Sequence, residues 1–529
     1  MVSGLTIHLS ILLFWPTAFA MLGAFAPRRI AAVLALVGAL IPLGYAVVLL
    51  VDFDASRAGS LQYVTDAAWI ADLGIRYKLG IDGLNLWLVA LTTLLFAASA
   101  LWVTFRPMDR PRLFAFHFGV AETAVLGAFL AQDLALFVLF FDLMLVPFYF
   151  LVGQWGGPAR VAATAKMVIY TLVGSLLMLA AAVATAALAG AGPDGQISFV
   201  MSDLVRAPLE GSAQSWIFVA FALAFLIKMP AFPVHGWMPD AYRNMPLPVL
   251  AVFSAVLSKV AAYGFLRIVL PIFPDATVDF QTVLLIVGLL SIFYGSIMAF
   301  TTPEARLILG YSSIAQLGFI ILGIFALRPE GGQGAILQMV NHGLVVAPLF
   351  FIVALLAERS AGSESIRDMG GIAFRAPVLA TLFLVVALAT LAIPGSANFA
   401  GEFLILLGLF ESKLAIAIIA FTGVALASVY MLRAYIRTMH NRTGPDVASR
   451  DLSVRDGLVI VPLVVLIVAF GVYPQAALRD SERGVRAAVR SSQAVAAGRP
   501  NPAVARARPA VDPALGALPV PPAGSEGGP

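Results

Sequence analysis

Cysteine is absent from the 529 residues, which excludes disulfides, thiolate ligation of iron–sulfur clusters and thiol catalysis in this chain. Charge is scarce, with Asp, Glu, Lys and Arg making only 12% of the sequence. The five histidines, His8, His117, His235, His342 and His440, stand far apart, and nothing has the spacing of HExxH or another metal motif. No Walker loop or GxGxxG follows a strand and opens a helix. The expectation is a chain with no cofactor and no metal of its own. The formal charge of +4 and pI near 9.3 come from basic residues spread over loops, not gathered in a patch, so nucleic acid is not an expected partner.

What the chain has instead is apolar length. Hydrophobic residues make up 61% of it, and the mean hydropathy of +0.95 lies outside the soluble range. A helix crossing the hydrocarbon of a bilayer needs ~20 residues. Runs of that kind lie near 5–25, 30–51, 83–105, 113–131, 134–155, 166–190, 215–235, 248–270, 281–301, 305–326, 333–357, 376–410, 413–437 and 456–476. The expected fold class is an all-α polytopic membrane protein of about 14 transmembrane helices. Ala18-Phe19-Ala20 mimics a signal-peptide cleavage site, but no Lys or Arg precedes that run and Arg28-Arg29 follow it, so it reads as a span.

Loop charges set the orientation. Arg28, Arg29, Arg106, Arg110, Arg112, Arg160, Arg243, Arg306, Arg359, Arg367, Arg375, Arg433, Arg437, Arg442, Arg450 and Arg455 fall on one side. The opposite loops are richer in acids, among them Asp52, Asp54, Asp66, Asp72, Asp194, Asp203, Glu210 and Asp275. Both ends of the chain then face the acidic side. Residues 479–529 are rich in Ala, Pro, Gly and Arg with no apolar period, and are expected to be disordered. Their arginines, Arg483, Arg486, Arg490, Arg506 and Arg508, lie where bases should be few.

Within the spans, charge is costly and points to a pathway: an ionised side chain near the bilayer centre costs roughly 2.5–3.5 kcal/mol on insertion scales. Asp142 lies mid-span, five residues before Pro147; Lys259 lies mid-span; His342 follows Asn341 and precedes Pro348. Lys228 comes just before Pro230 and Pro233, and Glu402 just after Pro394, Gly395 and Asn398. Two interrupted helices in corresponding places are the signature of an inverted-repeat transporter. Glu122, Asp133 and Lys166 are read as helix-end charges that reach the interface. Burial disfavours an ammonium and a nearby carboxylate favours it, so moving one switches the other between holding and releasing a proton. Histidine can relay near neutral pH. The series Asp142, Lys228, Lys259, His342 and Glu402 therefore reads as a proton route, with the backbone freed at each break able to hold water beside a cavity.

The stretches KMPAFPVHGWMPDA, DGLNLWLVALTTLL, FFDLMLVPFYFLVGQWG, GYSSIAQLGF, QMVNHGLVVAPLF and PGSANFAGEFLIL closely resemble the antiporter-like subunits of respiratory complex I, over roughly residues 75–475. Within that group the chain is most similar to the M-type chain, because Glu402 stands where the sister chains and the multisubunit sodium/proton antiporters usually carry lysine. The resemblance implies two inverted five-helix repeats, about 113–270 and 281–437, preceded by three helices in 1–112 and followed by a last span in 438–478. It implies Asp142 as coupling carboxylate, Lys228 as its partner, Lys259 as connecting lysine, His342 on the central axis and Glu402 as exit acid. It also implies residence in the cell inner (plasma) membrane beside two sister antiporter-like chains and other membrane subunits, with FMN, iron–sulfur clusters and quinone held by partner subunits. Two positions depart from the family pattern. Asp142 replaces the commoner Glu and is one methylene shorter, so contact with Lys228 needs a closer helix or a water. Gln316 replaces a common His and can order water but cannot carry a proton. The reading is a proton-translocating subunit of an NADH–quinone oxidoreductase, the alternative a subunit of a multisubunit cation/proton antiporter.

Overall fold

The structure, a computed structural model, describes residues 8–502 except Pro445 and Ser449. The chain opens with α1 (Leu9–Phe25) and α2 (Arg28–Asp52). A hairpin of antiparallel strands β1 (Gln62–Ile70) and β2 (Ile75–Ile81) follows. Then come α3 (Leu86–Phe105), α4 (Pro111–Leu130), α5 (Leu134–Leu143), α6 (Leu145–Trp155) and α7 (Arg160–Ala189). The first broken helix is α8 (Ser212–Lys228) with α9 (Met238–Asn244), followed by α10 (Leu247–Ile272). The second half contains α11 (Gln281–Thr301), α12 (Ala305–Phe325), α13 (Pro329–Arg359), and the broken pair α14 (Pro377–Thr390) and α15 (Ala397–Ser412). It ends with α16 (Leu414–Met439), α17 (Val454–Val472) and α18 (Gln475–Ala496).

Among the described residues eleven helices are long and apolar enough to cross a membrane, α5 and α6 counting as one, and α1, α8 and α14 are shorter apolar helices. The most apolar windows of α10, α12 and α13 are buried on every side, whereas only about a third of those of α2, α16 and α17 is buried. An apolar helix with an apolar exposed face is placed against lipid, so α10, α12 and α13 form the axis and α2, α16 and α17 the rim. Bases counted to one side in the sequence do meet on one face. Arg106 binds Glu358 and Asp456, Arg243 binds Glu304, and Arg306 binds Glu364.

Two expectations are corrected. The hairpin is an exception to the all-α reading: it lies between spans, where strand pairing satisfies its backbone, and it is tied to α5 through Asp133. That carboxylate accepts from the Arg76 N–H at 3.0 Å and caps α5 by accepting from the Leu136 N–H at 3.1 Å, a structural role at a helix N-terminus. The second correction concerns 479–529, expected to be disordered. Residues 479–496 belong to α18, while 503–529 lie outside the described residues. α18 packs through a narrow stripe of small residues and two valines: Ala477, Ser481, Gly484, Val485, Ala488, Val489 and Ser492 are all buried. At the closest approach a Cβ on Gly83 would stand 2.4 Å from the Asp480 carbonyl oxygen, so only glycine fits. Trp87 Nε1 donates to Asp480, Gln333 Nε2 to the Leu478 carbonyl and Ser492 Oγ to the Leu270 carbonyl. The last described helix thereby fastens the start of α3, the end of α10 and the start of α13.

Candidate functional site

Pro230 and Pro233 supply no N–H and cannot continue a helix, so α8 stops at Lys228 and leaves that side chain buried at the break. Its ammonium donates to the Phe141 carbonyl at 3.2 Å and lies 4.5 Å from the Phe141 ring centroid, a cation–π distance. Phe141 sits in the last turn of α5, before the interruption at Met144 to which Pro147 contributes by lacking an N–H. Asp142 is the next residue. Its Oδ1 is buried without a hydrogen-bond partner, and it forms no ion pair with Lys228. The Ser175 hydroxyl on α7 and the Lys228 ammonium are the polar groups close enough to act on it. The expected Asp142–Lys228 couple is thus adjacent but unbonded. A cavity of about 10 Å³ adjoins Lys228, walled by Thr171, Trp237, Phe253 and Leu257 among others, the least space that holds one water.

Phe253 and Leu257 belong to α10 and lead to Lys259. That residue occupies a short α-helical stretch, Ser258–Gly264, between two π-helical turns, Phe253–Leu257 and Phe265–Val269. Such turns displace the regular i→i−4 pattern and recur at functional sites. Here the Ser254 carbonyl accepts from the Lys259 ammonium at 2.9 Å. Lys259 is fully buried, and its Nζ lies 2.7 Å from His342 Nδ1 on α13. The sequence-predicted Lys259 and His342 are therefore in direct contact.

One turn before His342 on the same helix, Gln338 continues the line. Its Nε2 donates to Gln316 Oε1 at 2.6 Å and to Glu402 Oε1 at 3.3 Å. Glu402 is buried in the second turn of α15, just past the break after Thr390. Asn341 Nδ2 donates to the Ala397 carbonyl at 2.5 Å and so pins the start of that helix. Several amide atoms around Glu402 have no protein partner: Gln316 Nε2, Gln338 Oε1, Asn341 Oδ1 and both polar atoms of the fully buried Asn398. Buried amides of this kind are satisfied by ordered water. Gln338, Asn341 and Asn398 were missed as site residues. Their signal was available: Gln338 lies one turn before His342 on the same face, Asn341 adjoins His342 in sequence, and Asn398 stands one turn before Glu402.

Of the three charges read as helix-end groups, Lys166 forms a half-exposed pair with Asp240 at 2.7 Å and Asp133 is the cap described above. Glu122 is different. It sits in the middle of α4, buried, with Oε1 unpartnered, because its flanks leave no route for so short a side chain to an interface. Among the described residues no three His, Asp or Glu side chains gather as metal ligands.

Residues 131–428 match the family described as NADH:quinone oxidoreductase/Mrp antiporter, transmembrane. The chain is 36% identical to the NADH-quinone oxidoreductase subunit M of Rhodobacter capsulatus, over 88% of this chain and 93% of that one. A chain of the respiratory complex I of Thermus thermophilus, solved with bound NADH, superposes with a TM-score of 0.83 at 30% identity, covering 91% of this chain and 98% of that one. A chain of the Mrp complex of a Dietzia species shares the fold, with a TM-score of 0.79 at 22% identity over 93% of this chain and 98% of that one. With more than half its length matched to that family and most of it aligned to a subunit M, this chain belongs to the NADH:quinone oxidoreductase/Mrp antiporter transmembrane family, on its NADH-quinone oxidoreductase subunit M branch.

Proposed function

We propose that this chain is the subunit of an NADH–quinone oxidoreductase that carries protons across a bacterial plasma membrane, driven by electron transfer in partner subunits. The observation that carries the reading is the run of buried ionisable side chains along the axis, with Lys259 and His342 in contact at 2.7 Å. Asp142 senses the neighbouring subunit and sets the charge that Lys228 holds. Lys228 passes a proton by way of water to Lys259, which shares it with His342. Gln338 and Gln316 hold water and orient Glu402, from which the proton leaves. Because Gln316 cannot titrate, the step between His342 and Glu402 runs through water.

Fourteen spans in two inverted repeats, 113–270 and 281–437, are supported by the pairing of breaks. Joining α8 to α9 and α14 to α15 as single broken spans, and adding α1, brings the eleven long helices to that number. Lys228 and Glu402 then occupy equivalent places, one on each broken span. The partners are the two sister antiporter-like chains and the other membrane subunits, and the FMN, iron–sulfur clusters and quinone belong to partner subunits. The fold shared with the Mrp complex favours a second reading, a cation/proton antiporter subunit without redox chemistry. Mild purification through a tag on this chain distinguishes them. Co-isolation of flavin and iron–sulfur subunits, with NADH-driven proton uptake in vesicles, is the expected result. Recovery with small antiporter subunits alone, and no NADH oxidation, would overturn it.

A further inference from the structure

One group of cations has no part in the proton path. The face that carries the hairpin is the acid-rich one, yet α18 brings Arg490 to it and Arg499 follows. These two, with Arg328 after α12 and Lys413 before α16, surround one pocket of about 940 Å³. The ends of three spans form its floor: Gln281 opens α11, Ala326 follows α12 and Ser412 closes α15. The pocket therefore opens where hydrocarbon gives way to headgroups.

None of the four cations has an ion-pair partner among the described residues, and no Asp or Glu lines the pocket. Two other arginines of the same helix are paired: Arg486 with Glu482 at 2.6 Å and Arg479 with Asp480 at 3.1 Å. Four like charges around a common space repel one another unless an anion enters. Val278, Leu327 and Ala494 supply apolar wall beside them, a surface that a bare inorganic ion would not use. A phosphate on a glycerol stem, with acyl chains running down toward the spans, satisfies both features.

We propose that this pocket binds the headgroup of an anionic phospholipid, held by Arg328, Lys413, Arg490 and Arg499 at the hairpin face of the membrane. The test uses the intact complex in nanodiscs with a photoreactive phosphatidylglycerol, crosslinks being mapped by mass spectrometry. Wild type should crosslink within the 412–413 and 490–499 segments, and the signal should fall steeply with ionic strength. At ~1 kcal/mol per cation, the triple variant Arg328→Gln, Lys413→Gln, Arg490→Gln should bind about a hundredfold more weakly. Arg486→Gln, outside the pocket, should bind normally. If the triple variant fails to assemble, Arg328→Lys with Arg490→Lys keeps the charge and should keep the crosslink. Equal labelling by a phosphatidylcholine probe, or unchanged labelling in the triple variant, overturns the proposal. So does displacement by millimolar inorganic phosphate, which would assign the pocket to a soluble anion. Crosslinks found instead on an acidic segment of a partner subunit would assign it to that subunit.

Discussion

Replacing His342 with Gln separates proton transfer from hydrogen bonding at the centre of the path. Lys259 Nζ and His342 Nδ1 are 2.7 Å apart; two unit positive charges at that distance repel by about 6 kcal/mol at an effective dielectric constant of ~20. That disfavours the doubly protonated pair roughly ten-thousandfold, so Lys259 and His342 share one proton at a time and a second arriving proton expels the first. In His342→Gln the amide oxygen still accepts from Lys259, so the buried ammonium keeps a partner and stability should change by no more than ~1 kcal/mol. Lys259→Met differs, because it leaves the imidazole unpartnered and should destabilise by ~1–3 kcal/mol. The handover has no titratable receiver in His342→Gln, and proton uptake per NADH oxidised should fall at least tenfold. The assay is NADH-driven proton uptake in inside-out vesicles, normalised to assembled complex, beside the melting temperature of the purified complex. Normal uptake with an unchanged melting temperature would refute the shared-proton argument, since water alone would then suffice beyond Lys259.

Asp142→Asn should strongly reduce pumping and coupled quinone reduction while the complex still assembles, whereas Asp142→Glu, able to reach Lys228 directly, should match or exceed wild type in the same vesicles. Lys228→Ala should lower membrane NADH oxidation far more than Lys166→Ala, because the exposed Lys166–Asp240 pair contributes only about 0–1 kcal/mol; equal effects would make both structural. Glu402→Gln should keep its bond to Gln338 and lose activity severely, and Glu402→Lys should also pump poorly because it adds a cation beyond Lys259 and His342; a near-normal proton ratio for Glu402→Lys would remove the requirement for an acid. Gly401→Ala places a Cβ 2.4 Å from Gln338 Oε1, so Gln338 should swing away from Glu402, with turnover reduced and a stability loss of ~1–3 kcal/mol; unchanged turnover would show that Gln338 does not position the acid.

Much of this site was legible in the sequence because a charge in an apolar run has few explanations. Lys228, Lys259, His342 and Glu402 could be picked out by that rule, and Pro230, Pro233, Pro394 and Gly395 marked both breaks. Pairing was less legible. Periodicity cannot show that Lys259 meets His342 rather than Glu122, because contact across helices depends on packing angles and on π turns that sequence patterns do not encode. Glu122 illustrates a failure of position: it lies centrally in the run 113–131, and burial decides its character, not its distance from a nearby loop. Gln338 escaped because uncharged amides do not stand out, and Asn341 and Asn398 were read only as neighbours of His342 and Glu402, although each lies one turn or less from a charged site residue. The helix α18 escaped because most of its buried face is Ala, Ser and Gly, which contribute closeness of approach without raising hydropathy, and Val485 and Val489 alone add apolar bulk to that face.

That helix also imposes an order in time. Trp87 and Asp480 are 393 residues apart, and at synthesis rates of ~5–20 residues per second roughly 20–80 s separate their emergence from the ribosome. Throughout that interval the backbone around Gly83 and the Trp87 indole lack the helix that covers them. A newly inserted chain is thus unlatched at the start of α3, the end of α10 and the start of α13 until its last described helix arrives.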